Sequence, residues 1–215
     1  MDHDSWNKTW TRYQEFNQEK LIRIYDCLSI ENIQRDANIL DIGCGTGDFI
    51  KILKKRGFKS VHGIEPQSDL VKNSGLDCIV QGSCLSAPTI ESTYDIVILL
   101  GVLHHLKSIE EVTNALINIK KLLKPGGRFY SVEPRKTFIR SFLTQLMFAL
   151  PMRVLPERVK LDRVLVKEEL IELNNWLNYE KDVPAKAALL GFQIKIQKVD
   201  WRMTAQILTK PEDSA

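Results

Sequence analysis

The stretch ILDIGCGTGDF, residues 39–49, decides how this chain folds. A short apolar run of the kind that forms a buried strand leads directly into Gly43, Gly45 and Gly47, three glycines at alternate positions. Glycine adopts positive φ without strain and has no Cβ, so it lets another group come very close to the backbone. The stretch therefore predicts a strand, a tight turn and the start of a helix, with a ligand lying against the turn.

Segments with strand and helix patterns alternate along the rest of the chain. The strand patterns cover residues 38–43, 60–66, 77–82, the first part of 94–106, 128–134, 192–199 and 204–209. The helix patterns cover residues 10–28, 48–57, 68–75 and 108–127. This alternation predicts an α/β fold with a doubly wound parallel sheet and helices on both faces. A helical insertion over 135–185 interrupts this alternation of strands and helices. The sequence shows no flexible linker and no internal repeat, so we expect one domain over 1–215.

The spacing of the glycines argues against a dinucleotide. The dinucleotide fingerprint G-x-G-x-x-G would place its third glycine at Asp48, and a carboxylate there would repel a pyrophosphate. A phosphate-binding loop of the G-K-[ST] type is excluded because no such sequence follows. Because several adenosine-bearing cofactors use a glycine turn, the flanking residues must discriminate among them.

Two acidic residues near the turn suit a nucleoside with a cationic tail. Asp41 lies just before the turn, where a carboxylate can face an ammonium or a sulfonium group. Glu65 lies at the predicted end of the second strand, where an acid accepts hydrogen bonds from two ribose hydroxyls. Each has a simpler alternative, since Asp41 could cap the adjacent loop and Glu65 could be an ordinary exposed acid.

The ordered motifs resemble those of class I S-adenosylmethionine-dependent methyltransferases, in particular the small-molecule enzymes of the type 11 group. The matching segments are LDIGCGTG (40–47), GIEP (63–66), YDIVILLGVLHHL (94–106) and LLKPGGRFY (122–130). The resemblance covers residues 36–134 and, more loosely, 185–209. It implies a Rossmann-like, doubly wound seven-stranded sheet of order 3-2-1-4-5-7-6, with the last strand antiparallel.

The resemblance also implies the cofactor S-adenosyl-L-methionine, with S-adenosyl-L-homocysteine as the product. The segment QGSCLSAP, 81–88, takes the place of the family's G-D-A-x-x-L-P, and Ser83 stands where the family has an aspartate that contacts the adenine amino group. A hydroxyl can still accept that hydrogen bond. The expected cofactor-binding residues are Asp41, Gly43, Cys44, Gly45, Gly47, Glu65, Pro66, Gly82, Ser83, Cys84 and Leu100. Cys84 is expected to form part of the pocket wall, because no sequence neighbour would activate its thiol.

His104 and His105 are the candidate catalytic residues. They follow the fourth strand, where the methyl acceptor would meet the cofactor, and either imidazole could deprotonate the acceptor. The alternative is a pair of helix-start histidines bonded to backbone. A sulfonium is already an activated leaving group, so positioning and exclusion of water are expected to supply most of the rate. No metal is expected, because adjacent residues of a regular element point in different directions.

Residues 135–163 of the insertion combine an apolar stripe with basic residues, and the insertion is expected to form a lid over the acceptor. The stripe consists of Phe138, Ile139, Phe142, Leu143, Leu146, Met147 and Leu150. The seven basic residues are Arg135, Lys136, Arg140, Arg153, Arg158, Lys160 and Arg163, against the two acids Glu157 and Asp162. A lid helix with solvated arginines, an anionic or apolar acceptor, and contact with an anionic membrane surface all remain open. Trp10, Tyr13 and Phe16 of the N-terminal helix could close the other side of the pocket or belong to the core.

Composition narrows the class of protein further. The 215 residues are 44% hydrophobic, which allows a sizeable core, and the net charge of +3 is too small to indicate nucleic-acid binding by itself. Cys27, Cys44, Cys78 and Cys84 show neither C-x-x-C nor zinc spacing, so we expect reduced thiols and a cytoplasmic location. The polar N-terminus is unlike a secretory signal, and the uncharged run 141–152 is too short to span a bilayer.

The function expected from these features is methyl transfer to an oxygen, nitrogen or carbon atom of a small molecule. An RNA or protein acceptor is one alternative, although the sequence LLGVL at 99–103 lacks the N-P-P-Y type motif of enzymes that methylate DNA amino groups or protein glutamine. A binding protein that retains the cofactor site without catalysis is another. The sequence makes no prediction about the oligomeric state.

Overall fold

The computed structural model describes residues 17–86, 94–199 and 203–212. Seven strands form one sheet of order β3-β2-β1-β4-β5-β7-β6. The strands are β1 (Asn38–Ile42), β2 (Ser60–Glu65), β3 (Ile79–Gln81), β4 (Tyr94–Leu100), β5 (Leu123–Pro134), β6 (Gln193–Lys198) and β7 (Met203–Thr209). The pairs from β3 across to β5 are parallel, whereas β7 pairs antiparallel with both β5 and β6. The predicted strand order and the antiparallel last strand are confirmed.

Eight helices within the described residues surround the sheet. Helix α1 covers 17–27 of this part of the chain, and the others are α2 (Asp48–Lys55), α3 (Ser68–Ser74), α4 (Ile109–Leu122), α5 (Phe138–Ala149), α6 (Glu157–Glu168), α7 (Leu170–Tyr179) and α8 (Val183–Leu189). The predicted N-terminal helix 10–28 is therefore observed over 17–27, and Trp10, Tyr13 and Phe16 lie outside the described residues. None of the described helices has the length and apolar character needed to cross a bilayer.

Two apolar layers bury the two faces of the sheet. On one face Ile39 and Ile98 of the central strands pack with α1 and α2. On the other face Leu40 and Val97, the next residues along the same strands, pack with α4, α7 and α8. Central parallel strands are covered on both sides, which is why these segments read as unbroken apolar runs. The prediction of helices on both faces is confirmed.

Helix α4 is capped nearly as its sequence predicts, but it ends early. The Ser108 hydroxyl accepts a hydrogen bond from the Glu111 N–H at 3.3 Å. The Glu111 carboxylate reaches back to the N–H of Lys107 at 2.8 Å, one residue before the position expected for a capping box. The helix stops at Leu122 instead of the predicted 127, because Leu123 is fully buried and already pairs with Tyr94 in the sheet.

Candidate cofactor and acceptor site

The glycine turn between β1 and α2 requires all three of its glycines. Gly43, Gly45 and Gly47 have φ values of +72°, +55° and +76°, which L-residues with a side chain rarely adopt. A Cβ on Gly43 would lie 2.5 Å from Val102 Cγ2, and one on Gly47 would lie 2.6 Å from Leu76 Cδ1. A Cβ on Gly45 would meet no atom within 4 Å, so this residue borders open space. The first and third glycines serve packing, whereas the middle one leaves its backbone accessible.

A cavity of about 460 Å³ lies against this turn, and we call it the cofactor cavity. The expected cofactor-binding residues that line it are Asp41, Gly43, Cys44, Gly45, Glu65, Pro66, Ser83, Cys84 and Leu100. Gly47 and Gly82 do not line it, although the Gly82 N–H donates to the Glu65 carbonyl at 3.1 Å. Sequence reasoning missed the side chains of Gln67, Leu70, Val102 and Leu106, which also line the cavity. Gln67 and Leu70 lie outside the matching motifs, and Val102 and Leu106 lie within the motif 94–106 but were not singled out as binding residues.

Glu65 is built into the turn. Its side chain is buried, and its Oε2 atom accepts a hydrogen bond from the Gly45 N–H at 2.9 Å. Its Oε1 atom accepts one from the Gln67 N–H at 3.0 Å. Each carboxylate oxygen has two acceptor sites, so these bonds leave capacity for two donors from a ligand. Glu65 is therefore not an ordinary exposed strand-end acid.

Asp41 is the most buried charge of the cofactor cavity, with 2% of its surface exposed. Burial and, to a smaller extent, the neighbouring Glu65 raise the pKa of Asp41 to about 7. A raised pKa in a carboxyl group means that the ionised form is unfavourable unless a positive charge comes close. The structure thus provides a place where a cationic ligand group would be stabilised.

The cysteines and the serine at the cavity are not activated for chemistry. Burial raises the pKa of the Cys44 thiol, and it raises the pKa of the Cys84 thiol to about 11. Neither thiol is ionised at neutral pH, so neither is a nucleophile. The Ser83 hydroxyl is hydrogen-bonded to the Ser86 hydroxyl at 2.9 Å and accepts from the Ser86 N–H at 3.2 Å.

A second cavity of about 550 Å³ lies under the insertion, and we call it the insertion cavity. It shares four lining residues with the cofactor cavity, namely Asn17, Leu100, Gly101 and His105. Its apolar wall includes Leu143, Leu146, Met147, Leu150, Leu155, Val159, Val166 and Leu173. Charged residues of its lining are Lys20, Arg140, Arg158, Asp162 and Glu169. The two cavities therefore meet at the carboxyl end of β4.

Helix α5 uses only part of its apolar stripe for this cavity. Leu143, Leu146, Met147 and Leu150 line it, whereas Phe138, Ile139 and Phe142 are exposed on the outside, Phe138 to 84%. One of the basic residues, Arg163, links α6 to the end of α5, whereas Lys160 pairs only within its own helix. Arg163 donates to the carbonyls of Met147 and Leu150 at the end of α5, and Lys160 pairs with Glu157 at 3.8 Å.

His104 lies on the helical turn Leu103–His105 and lines the insertion cavity, next to His105, which borders both cavities. The ring of His104 is buried, with Nδ1 2.9 Å from Glu133 Oε2 and Nε2 3.8 Å from Glu169 Oε2. Burial disfavours the charged ring, but the bonds to Glu133 and Glu169 outweigh burial and raise the pKa of His104 to about 9. At neutral pH the ring is protonated and bonded to carboxylates, not to backbone, so it has no free electron pair with which to act as a base.

Glu133 of β5 organises the chain that follows β4. Its Oε1 atom accepts hydrogen bonds from the backbone N–H groups of Val102 and Leu103, at 3.0 and 2.9 Å. Its Oε2 atom bonds the ring of His104. The side chain of Glu133 is 97% buried, and sequence reasoning did not single it out.

His105 is partly exposed and borders both cavities. Its Nδ1 atom is hydrogen-bonded to the carboxylate of Glu172 on α7. Glu169 and Glu172 carry no sequence signal, because they lie in the insertion and approach the histidines only through the tertiary fold. The sequence-predicted pair of histidines is thus surrounded by three carboxylates that were not predicted.

A seven-stranded sheet of this order, with a glycine turn after β1 and an acid at the end of β2, is the architecture of class I methyltransferases. The family described as a methyltransferase domain matches residues 13–181, and this chain belongs to it. The prediction of a class I S-adenosylmethionine-dependent methyltransferase is confirmed.

The proteins that this chain resembles have names that indicate different methyl acceptors. The chain is 26% identical over 125 residues to the human protein named "Probable tRNA methyltransferase 9B", which covers 58% of this chain but only 24% of the relative. It is 25% identical over 207 residues to demethylmenaquinone methyltransferase of Bacillus subtilis, covering 88% of this chain and 84% of that one. The crystal structure of magnesium protoporphyrin IX methyltransferase from Synechocystis, with bound S-adenosylhomocysteine, has a TM-score of 0.65 at 15% identity and covers 96% of this chain and 94% of that chain. The structural likeness shows the shared fold.

Proposed function

We propose that this protein transfers a methyl group from S-adenosylmethionine to a small, largely apolar molecule bound in the insertion cavity. The observation that supports this most strongly is the shared wall of the two cavities. A nucleoside cofactor against the glycine turn and an acceptor under α5 would meet at Leu100, Gly101 and His105. The relative in Bacillus subtilis, which this chain matches over most of its length, is named for an apolar quinone acceptor.

The residues of the cofactor cavity fit S-adenosylmethionine. Glu65 has acceptor capacity for the ribose hydroxyls, and the backbone at Gly45 is open to a close approach. Asp41 is a buried carboxylate that is stabilised by a nearby positive charge, such as the cofactor's ammonium group. When bound, the cofactor supplies an activated methyl group on its sulfonium. The chain's own contribution is to hold and orient the two molecules and to exclude water with the apolar wall.

A general base is not required by this proposal. His104 is protonated and held by Glu133 and Glu169, so it would orient neighbouring groups and not accept a proton. His105 borders both cavities and is the residue of the pair that could contact an acceptor. Its role as a base stays a prediction.

An RNA acceptor is favoured by one observation, the basic residues of the insertion, and it matches the name of the human relative. Against it, Arg163 and Lys160 are engaged in contacts within the insertion. An anionic membrane surface is a further possible contact for the exposed Phe138, Ile139 and Phe142. The acceptor assay described next distinguishes these alternatives.

Filling the insertion cavity is expected to block methyl transfer without affecting the cofactor. Radiolabelled S-adenosylmethionine is incubated with the protein and with separate metabolite, RNA and lipid-vesicle fractions, and the labelled product is identified. With that acceptor, Met147→Trp should lower kcat/KM at least tenfold, because the larger ring occupies acceptor space. Phe138→Trp is the matched control on the outer face of the same helix, and it should change little. Labelling of RNA alone, or equal activity of both variants, would contradict the proposal.

Loss of the Glu65 carboxylate is expected to weaken cofactor binding by about 1–3 kcal/mol, because hydrogen bonds to a charged group are lost. Calorimetry should show that wild-type protein binds S-adenosylmethionine and S-adenosylhomocysteine but not NAD, and that Glu65→Ala binds both more weakly. Glu65→Gln keeps a side chain of the same size with hydrogen-bonding atoms but removes the charge. It therefore separates the effect of the charge on binding from any effect of the substitution on folding. Glu31→Ala, at an exposed acid, should bind normally. Binding of NAD alone, or unchanged affinity in Glu65→Ala, would overturn this assignment.

Asp41 is expected to make cofactor affinity depend on pH. Its pKa of about 7 in the free protein means that protonation competes with the cationic ligand group below neutrality. The affinity of the wild type should therefore fall as pH is lowered from about 7.5 to 5.5, approaching about tenfold per unit where binding requires the ionised form. Asp41→Asn should bind more weakly at pH 7.5 and show a flatter profile.

Asp41→Asn is also expected to stabilise the cofactor-free protein at high pH. The pKa of Asp41 in the folded protein lies above its value in the unfolded chain, so the folded state binds more protons between about pH 4 and 7. The contribution of Asp41 to the free energy of unfolding therefore falls as pH rises from about 4 to 7. Thermal unfolding without cofactor should thus show the gain of Asp41→Asn increasing with pH and levelling off above pH 7. A gain that is equal at pH 4 and pH 8 would show that the raised pKa is not the cause.

A further inference from the structure

His104, His105 and Glu169 converge at the wall of the insertion cavity, where His105 also borders the cofactor cavity. The rings of the two histidines lie with their centroids 4.1 Å apart and their planes inclined by 35°, so they share one side of the turn. One donor atom from each histidine and one carboxylate oxygen of Glu169 all lie within 4.8 Å of one another. Small side-chain rotations bring such a set to the distances of about 2.0–2.2 Å at which nitrogen and oxygen bind a transition metal.

We propose that His104, His105 and Glu169 form a binding site for a divalent transition-metal ion such as Zn²⁺ or Mn²⁺. Two imidazoles and one carboxylate are a donor set that such ions take in proteins, with further positions left for water or substrate. The expectation that adjacent histidines do not face one ion holds for a regular helix or strand. The tight turn Leu103–His105 is neither, and it directs both rings to the same side.

The neighbours of the two histidines favour this role. His104 bonds Glu133 through Nδ1, and His105 bonds Glu172 through Nδ1. In His105, Nε2 is the nitrogen left for a ligand. In His104, Nε2 faces the Glu169 carboxylate at 3.8 Å, so an ion would take the place of the proton between the two groups. A carboxylate on the other ring nitrogen is the usual partner of a metal-binding histidine. Hydrogen bonds of this kind fix the ring orientation and make the free nitrogen a better donor.

The carboxylates around the two histidines favour the binding of a cation. Glu133, Glu169 and Glu172 place three carboxylates beside the two imidazole rings. A divalent ion that displaces the Nε2 proton of His104 would compensate this negative charge, while the Nδ1–H group of the ring continues to donate to Glu133 Oε2. A metal ion also provides open coordination positions, which a proton does not.

The open positions would face the place where acceptor and cofactor meet. His105 borders both cavities, and so does Asn17, whose Oδ1 atom is buried without a hydrogen-bond partner among the described residues. The ion would hold a hydroxyl or carboxylate oxygen of the acceptor beside the cofactor cavity. This role rests on the proposed methyl transfer, whereas the binding of the ion does not.

Direct metal binding tests the site without any activity measurement. Chelator-treated protein is titrated with Co²⁺, which reports its ligands by visible absorption, and with Zn²⁺ and Mn²⁺ by calorimetry. We expect one ion per chain, a loss of affinity of at least tenfold in His105→Ala and Glu169→Gln, and a loss of roughly tenfold in Glu172→Gln through its effect on His105. His62→Ala is the matched control, since His62 is exposed on β2.

Two outcomes would overturn the proposal. The first is the absence of stoichiometric binding by the wild type, and the second is equal binding by the wild type, His105→Ala and Glu169→Gln. Circular dichroism of each variant shows whether it is folded. Binding of S-adenosylmethionine is measured in the same samples, so a protein that binds the cofactor but no metal refutes only the metal site, and one that binds neither refutes the proposed function as well.

Discussion

Trp176→Ala is expected to lower the free energy of unfolding by about 3–5 kcal/mol, the range for truncation of a large buried aromatic residue. Trp176 has 1% of its surface exposed and belongs to the apolar layer beneath α4 and α8. Its indole N–H donates to the carbonyl of Pro134 at 2.7 Å, and its ring meets Tyr179 edge to face at 5.7 Å. The substitution therefore leaves a cavity and an unpaired carbonyl at the point where α7 joins the end of β5.

Urea denaturation followed by circular dichroism measures this loss. Trp176→Phe keeps most of the volume but not the N–H donor, so it should fall between the wild type and the alanine variant. Ile171→Ala is the control on the same helix, where the side chain is 77% exposed, and it should change the stability by less than about 1 kcal/mol. A loss below about 1 kcal/mol in Trp176→Ala would show that the insertion is not anchored through this residue.

The sheet was predictable because its signals are local. Ile39 and Leu40 of β1, and Val97 and Ile98 of β4, stand in apolar runs that only a strand covered on both faces tolerates. The glycine turn was predictable because three glycines stand at alternate positions, and all three adopt positive φ in the structure. The boundary of β5 was predicted wrongly because the segment before it has a helical pattern, while the pairing of Leu123 with Tyr94 is a tertiary contact that the local pattern does not contain.

The residues of the candidate site also fall into two groups, those with a local sequence signal and those brought together only by tertiary contacts. Asp41 and Glu65 were predictable because the carboxyl ends of neighbouring parallel strands always meet at one edge of the sheet. Glu133 is 29 residues from His104 in sequence, and Glu172 is 67 residues from His105. No period or motif relates positions that far apart, so the carboxylates around the histidines could be recognised only in the folded molecule.

Removal of the Glu133 carboxylate is expected to be the most damaging change at the site itself. Glu133→Ala leaves the part-buried N–H of Val102, the buried N–H of Leu103 and the charged ring of His104 without their partner. Breaking one side of a buried, hydrogen-bonded charge pair costs about 3–5 kcal/mol, because the other side stays desolvated. We therefore expect a loss of that size in the free energy of unfolding, measured by urea denaturation.

Glu133→Gln tests the reason for that loss. The amide keeps an oxygen that can accept from Val102 and Leu103 but removes the negative charge opposite His104, so its loss should be about 1–3 kcal/mol. Glu19→Ala breaks an exposed ion pair with Arg23 at 3.9 Å and, as the control, should cost less than about 1 kcal/mol. If Glu133→Gln were as unstable as Glu133→Ala, the charge opposite His104 would carry the whole effect. If it were as stable as the wild type, the charge would contribute nothing, and Glu133 would act only as the acceptor that fixes the chain after β4. The intermediate value is expected because the carboxylate both accepts from the two backbone N–H groups and places a negative charge opposite His104. It thereby links the backbone at the cofactor cavity to the histidines beside it.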